Sequence, residues 1–228
     1  MNKMQIKILK RGPYLVTGGV PLSEEIIVPE GKSYHYEKGR DFPLTQTYTL
    51  CRCGKSKNFP YCDGSHMHEE FCHEEVASKE GFHQRAELLV GKTVDLLDDH
   101  RCSLSRLCHR QPGEVWDLVE CSDKEEDRLE AIEGSNLCPS GRLVIQEKDG
   151  YEHEPELEPG IVLLQDPEKG VSGPLYVRGG IPIFSADGSA YEIRNRITLC
   201  RCGQSKDMPF CDASHIAAGF CDHKEKGE

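Results

Sequence analysis

Two groups of cysteine and histidine residues repeat one spacing, C-x-C-x8-C-x3-H. The first group consists of Cys51, Cys53, Cys62 and His66, and the second of Cys200, Cys202, Cys211 and His215. Three thiolates and one imidazole suit two chemistries: a tetrahedral zinc ion or a [2Fe–2S] cluster with one histidine ligand. Spacing alone leaves both open.

Composition favours metal binding over disulfide formation. The chain has 228 residues, 12 of them cysteines, and a net charge of −11. Its first residues contain no continuous apolar run typical of a secretory signal, so we expect a reducing, cytoplasmic location in which thiols bind metals. No apolar run approaches the roughly 18–20 residues that span a bilayer. The acidic charge argues against binding to nucleic acid or to an anionic membrane.

The residues around the two groups repeat as well, which indicates an internal duplication. Residues 12–22 resemble residues 173–183, and the first copy has twelve extra residues, which we place within the stretch 23–42. Runs rich in Tyr, Val and Thr at 14–16, 33–36 and 45–50 predict short strands. Asp63 and Asp212 are predicted N-caps of a short helix at the end of each motif.

The two motifs resemble the CDGSH (NEET, mitoNEET-like) iron–sulfur family. The signature is complete in the first copy, whereas the second has Ala213 where the first has Gly64. The resemblance covers residues 11–72 and 172–221. It implies a redox-active [2Fe–2S] cluster on each Cys3His set and an α+β, β-rich fold, in which two β-cap and cluster-binding units are related by a pseudo-twofold axis. Because both units lie in one chain, we expect them to pair within a monomer.

The segment 85–150 has no counterpart in either copy. Its order of C-x5-C, a helix and C-P-S-G resembles the divergent 4Fe-4S mono-cluster ferredoxin-like domain. That resemblance implies three ligands, Cys102, Cys108 and Cys138, with Ser105 at the position of the missing cysteine. Three cysteines hold a [3Fe–4S] cluster, or a [4Fe–4S] cluster with a fourth ligand such as Ser105 or water. The alternative is a cluster-free module with buried cysteines.

Four regions are therefore expected. They are a first CDGSH unit (1–84), the ferredoxin-like domain (85–150), an acidic solvated linker (151–171) and a second CDGSH unit (172–228). Within the ferredoxin-like domain, strands are predicted around 88–97 and at 143–146, and a capping box at Ser122 opens a helix that ends near residue 133. Cys72 and Cys221 are interpreted as core packing, and Cys121 as a spare thiol.

No catalytic triad, phosphate-binding loop or dinucleotide fingerprint is present, so we expect no enzyme activity of the chain's own. The leading hypothesis is a multi-cluster iron–sulfur protein that transfers electrons or whole clusters. The alternatives are a structural or regulatory zinc protein and an electron-donating accessory subunit of an oxidoreductase. The acidic charge favours a redox partner or cluster acceptor with a basic docking face.

Overall fold

The computed structural model describes residues 3–222, which form three β-sheets with strands numbered along the chain. The first sheet has, in spatial order, Ile183–Phe184 (β12), Gln5–Ile8 (β1), Tyr14–Thr17 (β2) and Thr47–Leu50 (β5). The second has Arg196–Leu199 (β13), Val171–Arg178 (β11), Gly160–Asp166 (β10), Leu22–Glu30 (β3) and Ser33–Asp41 (β4). The third has Glu87–Val90 (β6), Val94–Asp98 (β7), Leu143–Glu147 (β8) and Glu152–His153 (β9).

Helices are short and few among the described residues. They are Phe82–Arg85 (α1), Val115–Glu120 (α2), Glu125–Asn136 (α3) and Ser214–Ala217 (α4), with one 3₁₀ turn at Ser65–Met67. The α+β, β-rich class is confirmed, and the two CDGSH units flank a central domain. No helix in the described part of the chain is long and apolar enough to cross a bilayer.

The two copies of the repeat exchange strands. In the first sheet, β12 from the second copy pairs in parallel with β1, and Ile6 lies opposite Ile183. In the second sheet, β3 from the first copy pairs in parallel with β10, and Leu22 lies opposite Ile161. The first sheet therefore contains one strand of the second copy, and the second sheet contains two strands of the first copy, β3 and β4, so the two copies pair within the chain.

One apolar core joins the two sheets. It contains Ile6, Tyr14 and Leu50 from the first copy together with Ile161 and Leu199 from the second, all nearly inaccessible to water. Since burial of apolar surface is the main favourable term in folding, the two copies stabilise each other. The extra residues of the first copy lie in the β3–β4 hairpin, where the second copy has only the two-residue β12.

The predicted solvated linker at 151–171 is wrong for its central part. Residues 160–166 form β10, a fully buried strand between β11 and β3. The apolar residues at 161–164 fill the core. This short apolar run was not recognised as a strand because acidic residues dominate the sequence around it. Asp166, at the end of this buried strand, pairs with Arg106 at 2.8 Å. Residues 223–228 of the predicted second unit lie outside the described part.

The middle segment folds as one sheet, β6 to β9, packed against α2 and α3. The predicted strands are present as β6 and β7 in the first run and β8 in the second, whereas α2 was not predicted. The predicted helix begins at Glu125 instead of near Ser122. Ser122 is not its N-cap, because its hydroxyl accepts a hydrogen bond from the backbone N–H of Thr93 at 2.9 Å.

Candidate metal centres

Each motif begins where a buried strand ends and then folds back on that strand. After β5, the N–H of Cys51 donates to the carbonyl of Pro60 at 2.8 Å, and the N–H of Cys62 donates to that of Thr49 at 3.0 Å. The second motif repeats both bonds after β13: Cys200 donates to Pro209 at 2.8 Å and Cys211 to Thr198 at 3.0 Å. This short antiparallel return brings the third cysteine beside the first two.

The four predicted ligands of each motif lie in two pairs. In the first motif, Cys51 Sγ is 3.7 Å from Cys53 Sγ, and Cys62 Sγ is 3.3 Å from His66 Nδ1. In the second, the corresponding distances are 3.5 Å for Cys200 and Cys202 and 3.5 Å for Cys211 and His215. Two ligands of one tetrahedral metal, at about 2.3 Å for sulfur and 2.1 Å for nitrogen, are about 3.6–3.8 Å apart.

The four observed distances are within about 0.3 Å of this spacing, so each pair can share one metal ion and each motif can hold a group with two metal ions. Within residues 3–222, no three or more His, Cys, Asp or Glu side chains gather around a single ion position. The donor types and the pair distances both fit a [2Fe–2S] cluster.

The first two cysteines of each motif are hydrogen-bonded to each other through their sulfur atoms. The bond from Cys53 lowers the pKa of the Cys51 thiol to about 6, and that from Cys202 lowers the pKa of Cys200 to about 7, while the same bonds raise the pKa of Cys53 and Cys202. The N–H groups of the loop that follows, including that of Ser56, also lower the pKa of Cys51. Because sulfur binds metal as the thiolate, the loop favours the metal-binding form at the first cysteine of each motif near neutral pH.

The two motifs differ in exposure at the cysteine–histidine pair. Cys62 and His66 are partly exposed, and the neighbouring Met67 is 76% exposed. Cys211 and His215 are 4% and 3% exposed. Burial lowers the pKa of His215 to about 4, so its imidazole is neutral at physiological pH.

Asp63 and Asp212 are not the N-caps predicted for them. The caps are the next residues, Gly64 and Ala213, which have left-handed φ values of 89° and 67°. Each aspartate instead accepts two backbone N–H groups, as Asp63 does from Ser65 at 3.0 Å and from Lys57 at 2.8 Å. The carboxylate therefore clamps the loop to the one-turn helix that carries the histidine.

Ala213 is expected to strain the second motif. A non-glycine residue in the left-handed region costs about 1–2 kcal/mol. Ala213→Gly should therefore raise the free energy of unfolding by about 1 kcal/mol, measured by urea denaturation. Gly64→Ala is the matched control and should lower it by a similar amount, since nothing lies within 4 Å of a Cβ at that position. Equal stability of all three proteins would contradict this account.

The arginine between the first two cysteines of each motif was not predicted as a functional residue. Arg52 is buried and donates Nε to the carbonyl of Gly12 at 2.8 Å. Arg201 donates Nε to the equivalent Gly173 at 2.6 Å and pairs with the Asp222 carboxylate. Both residues tie the cysteine loop to the start of a neighbouring strand. Both arginines occupy the same position of the repeat, and this recurrence could have indicated their structural role from the sequence.

The two motif loops pack directly on each other. A Cβ at Gly54 would lie 2.2 Å from the carbonyl oxygen of Cys202, and one at Gly203 would lie 2.3 Å from that of Cys53. Only glycine permits so close a contact. The first two cysteines of each motif therefore lie next to those of the other.

The three cysteines predicted as ligands in the middle domain line one small cavity. Cys102, Cys108 and Cys138 share it with Ser105 and Arg142. Burial, followed by the charges of Cys138 and Cys102, raises the pKa of the Cys108 thiol to about 12. The cavity thus offers three sulfur donors within electrostatic reach of one another, together with the buried Ser105 hydroxyl. This donor set fits a cubane-type cluster.

The remaining cysteines lie apart from these donor sets. Cys121 follows α2 and is not among the residues that line the middle cavity. Cys72 is exposed, so its predicted packing role is wrong; only its backbone N–H is engaged, with the carbonyl of Gly203 at 3.1 Å. Cys221 is partly buried and lines a groove beside Phe220 and Gly54.

Comparison with protein-family models gives two matches. The model described as iron-binding zinc finger CDGSH type matches residues 11–67 and 172–216. The model described as divergent 4Fe-4S mono-cluster matches residues 89–148. Searches of curated proteins and of solved structures gave no match.

These matches define the class of the chain, an iron–sulfur protein. Within this class, the chain combines two CDGSH-type units with a divergent 4Fe-4S mono-cluster domain between them.

Proposed function

We propose that the protein carries electrons, or donates whole clusters, by means of two Cys3His [2Fe–2S] sites and a third site in the middle domain. The observation that carries this proposal is the pairing of the ligands at distances of 3.3–3.7 Å in both motifs. When bound, a [2Fe–2S] cluster accepts and releases one electron.

The pairing favours iron–sulfur chemistry over the zinc alternative. A structural zinc ion needs four donors around one point, whereas each motif presents two separate pairs, one for each metal ion. The ligand set also suits a redox role, because a neutral histidine in place of a thiolate raises the reduction potential.

The surrounding residues perform the supporting tasks. Arg52 and Arg201 hold the paired cysteines in place through buried hydrogen bonds. Burial of Cys211 and His215 excludes water from the second site, while the partial exposure of Cys62 and His66 opens the first site to a partner. We assign these sites to transfer and none of them to catalysis.

The middle site is proposed to hold a [3Fe–4S] or [4Fe–4S] cluster. Cys102, Cys108 and Cys138 would supply three ligands, and Ser105 is the nearest candidate in sequence for a fourth. Ser105 is buried, and its hydroxyl lies 2.9 Å from that of Ser103, so this oxygen is held in position inside the cavity.

The partner is proposed to be a redox or cluster-accepting protein with a basic docking face. The net charge is −11, and the exposed Glu69 and Glu70 line the same surface groove as the partly exposed His66, together with Arg11. Opposite charge on the partner would guide its approach to this first site. We also propose a cytoplasmic monomer, in which the two CDGSH units pair with each other.

Metal and acid-labile sulfide analysis of anaerobically purified protein tests the proposal. We expect about four irons per chain if only the CDGSH sites are filled, and about seven or eight if the middle site is filled as well. Electron paramagnetic resonance (EPR) and bleaching of the visible absorption by dithionite would confirm redox activity. A colourless protein with stoichiometric zinc would overturn the proposal in favour of the zinc alternative.

A further inference from the structure

The second motif departs from the repeat where it meets the middle domain. Arg196 occupies the position of Thr47 in the first copy and is fully buried. Its guanidinium donates to the carbonyl of Cys138 at 3.1 Å and to that of Leu143 at 3.2 Å, and it pairs with Glu154 at 2.9 Å. The strand that leads to Cys200 is thereby bonded to the loop that presents a middle-site cysteine.

A chain of buried hydroxyl groups continues this contact. Thr198 Oγ1 lies 3.2 Å from Ser140 Oγ, which donates to Ser103 Oγ at 3.1 Å. The carbonyl of the same Thr198 accepts the N–H of Cys211 at 3.0 Å. Since Ser103 follows Cys102 in sequence, a short hydrogen-bonded path joins a ligand of the second motif to a ligand of the middle site.

A buried ion pair adds a second contact between the middle domain and the second copy. Arg106, between Cys102 and Cys108, pairs with buried Asp166 of β10 through two bonds of 2.8 and 2.9 Å. Since β10 pairs with β11, and β11 pairs with the β13 strand that leads to Cys200, the middle site is joined to the sheet that carries the second motif.

We infer that the second CDGSH site and the middle cysteine site form a coupled pair inside the molecule, and that the first CDGSH site is the one that faces outside partners. This inference rests on the proposed function, because it requires clusters at all three sites. It adds a spatial order to the three sites, in which the second CDGSH site lies between the middle site and the first CDGSH site.

Relaxation of the EPR signals in the reduced protein tests this order. The two [2Fe–2S] clusters speed each other's relaxation equally, whereas the middle cluster acts more strongly on the one that lies nearer to it. The second-site [2Fe–2S] signal should therefore saturate at higher microwave power than the first-site signal. His66→Cys and His215→Cys label the two signals, because each substitution shifts the spectrum of its own site only.

Two middle-domain cysteines give a matched pair of variants. Cys138→Ser should remove the relaxation enhancement at the second site, whereas Cys121→Ser, outside the cavity, should retain it. If Cys138→Ser does not fold, the labelled signals of the otherwise native chain still decide the order.

The outcomes separate this inference from the proposed function. Seven or eight irons with equal relaxation of the two signals, or with enhancement at the first site, would overturn only the coupled pair. Four irons per chain would remove the middle cluster and would overturn both the third-site proposal and the coupled pair.

Discussion

At mildly acidic pH, the first CDGSH site is expected to lose its iron about ten times faster than the second, because each 1.4 kcal/mol needed to open a buried site slows the loss about tenfold. Protons and water reach the partly exposed Cys62 and His66 directly. Cys211 and His215 are 4% and 3% exposed, so the second site must open locally before they are reached.

The pH dependence at the second site has a definite sign. Burial lowers the pKa of His215 to about 4, below the value of about 6.5 for an unperturbed histidine. A lowered pKa means that folding favours the neutral imidazole, which is also the form that binds metal. This contribution to stability is complete above about pH 6.5 and is lost as the pH falls through about 4.

The measurement is loss of visible absorption after a jump to about pH 5, a pH between the two histidine values given above. We expect two phases. His66→Cys should slow the fast phase and lower the reduction potential of the first site, because thiolate is bound more firmly and carries more negative charge than imidazole. His215→Cys is the control and should leave the fast phase unchanged. A single phase, or unchanged acid loss in both variants, would contradict the prediction.

Removing Arg201 is expected to lower the free energy of unfolding by about 3–5 kcal/mol, the cost of breaking a buried ion pair from one side. The side chains of Arg201 and Asp222 are 2% and 1% exposed. In Arg201→Met, the guanidinium is lost while the carboxylate stays in a region from which water is excluded. The hydrogen bonds that the Arg201 guanidinium donates to the carbonyls of Gly173 and Leu164 are lost as well.

Urea denaturation would measure this loss, with iron content followed in the same samples. Asp222→Asn in the Arg201→Met background should restore part of the stability, because it removes the buried charge. Arg52→Met is the matched control in the first motif, where the arginine donates to the carbonyls of Gly12, His73 and Leu9. An equal decrease in the free energy of unfolding in Arg52→Met and Arg201→Met would show that the Arg201–Asp222 ion pair does not contribute more to stability than the hydrogen bonds of Arg52.

Local patterns made much of this molecule predictable. The duplication and the two groups of three cysteines and one histidine follow from spacing, because metal ligands must recur at distances that a short loop can span. The three middle cysteines were predicted from the resemblance to the divergent mono-cluster domain, and the structure places them around one cavity. The β-rich class followed from Tyr, Val and Thr runs bounded by glycine and proline.

Features that depend on distant contacts were not predictable. The apolar run at 161–164 becomes a central strand only because β3 and β11 flank it, and nothing near it in sequence shows this. The difference between His66 and His215 also escapes the sequence, since both occur in nearly identical motifs.

The exchange of strands between the two copies determines the order in which parts of this chain can fold during synthesis. The sheet that supports Cys51 and Cys53 needs β12, and Gly54 packs against Cys202, so both partners belong to the last quarter of the chain. The first motif therefore leaves the ribosome well before β12 and the Cys202 loop, which pack against it, have been synthesised. Pairing between such distant segments is slow to form. Although its ligands are translated first, the outward-facing site can be completed only after the second motif has been made.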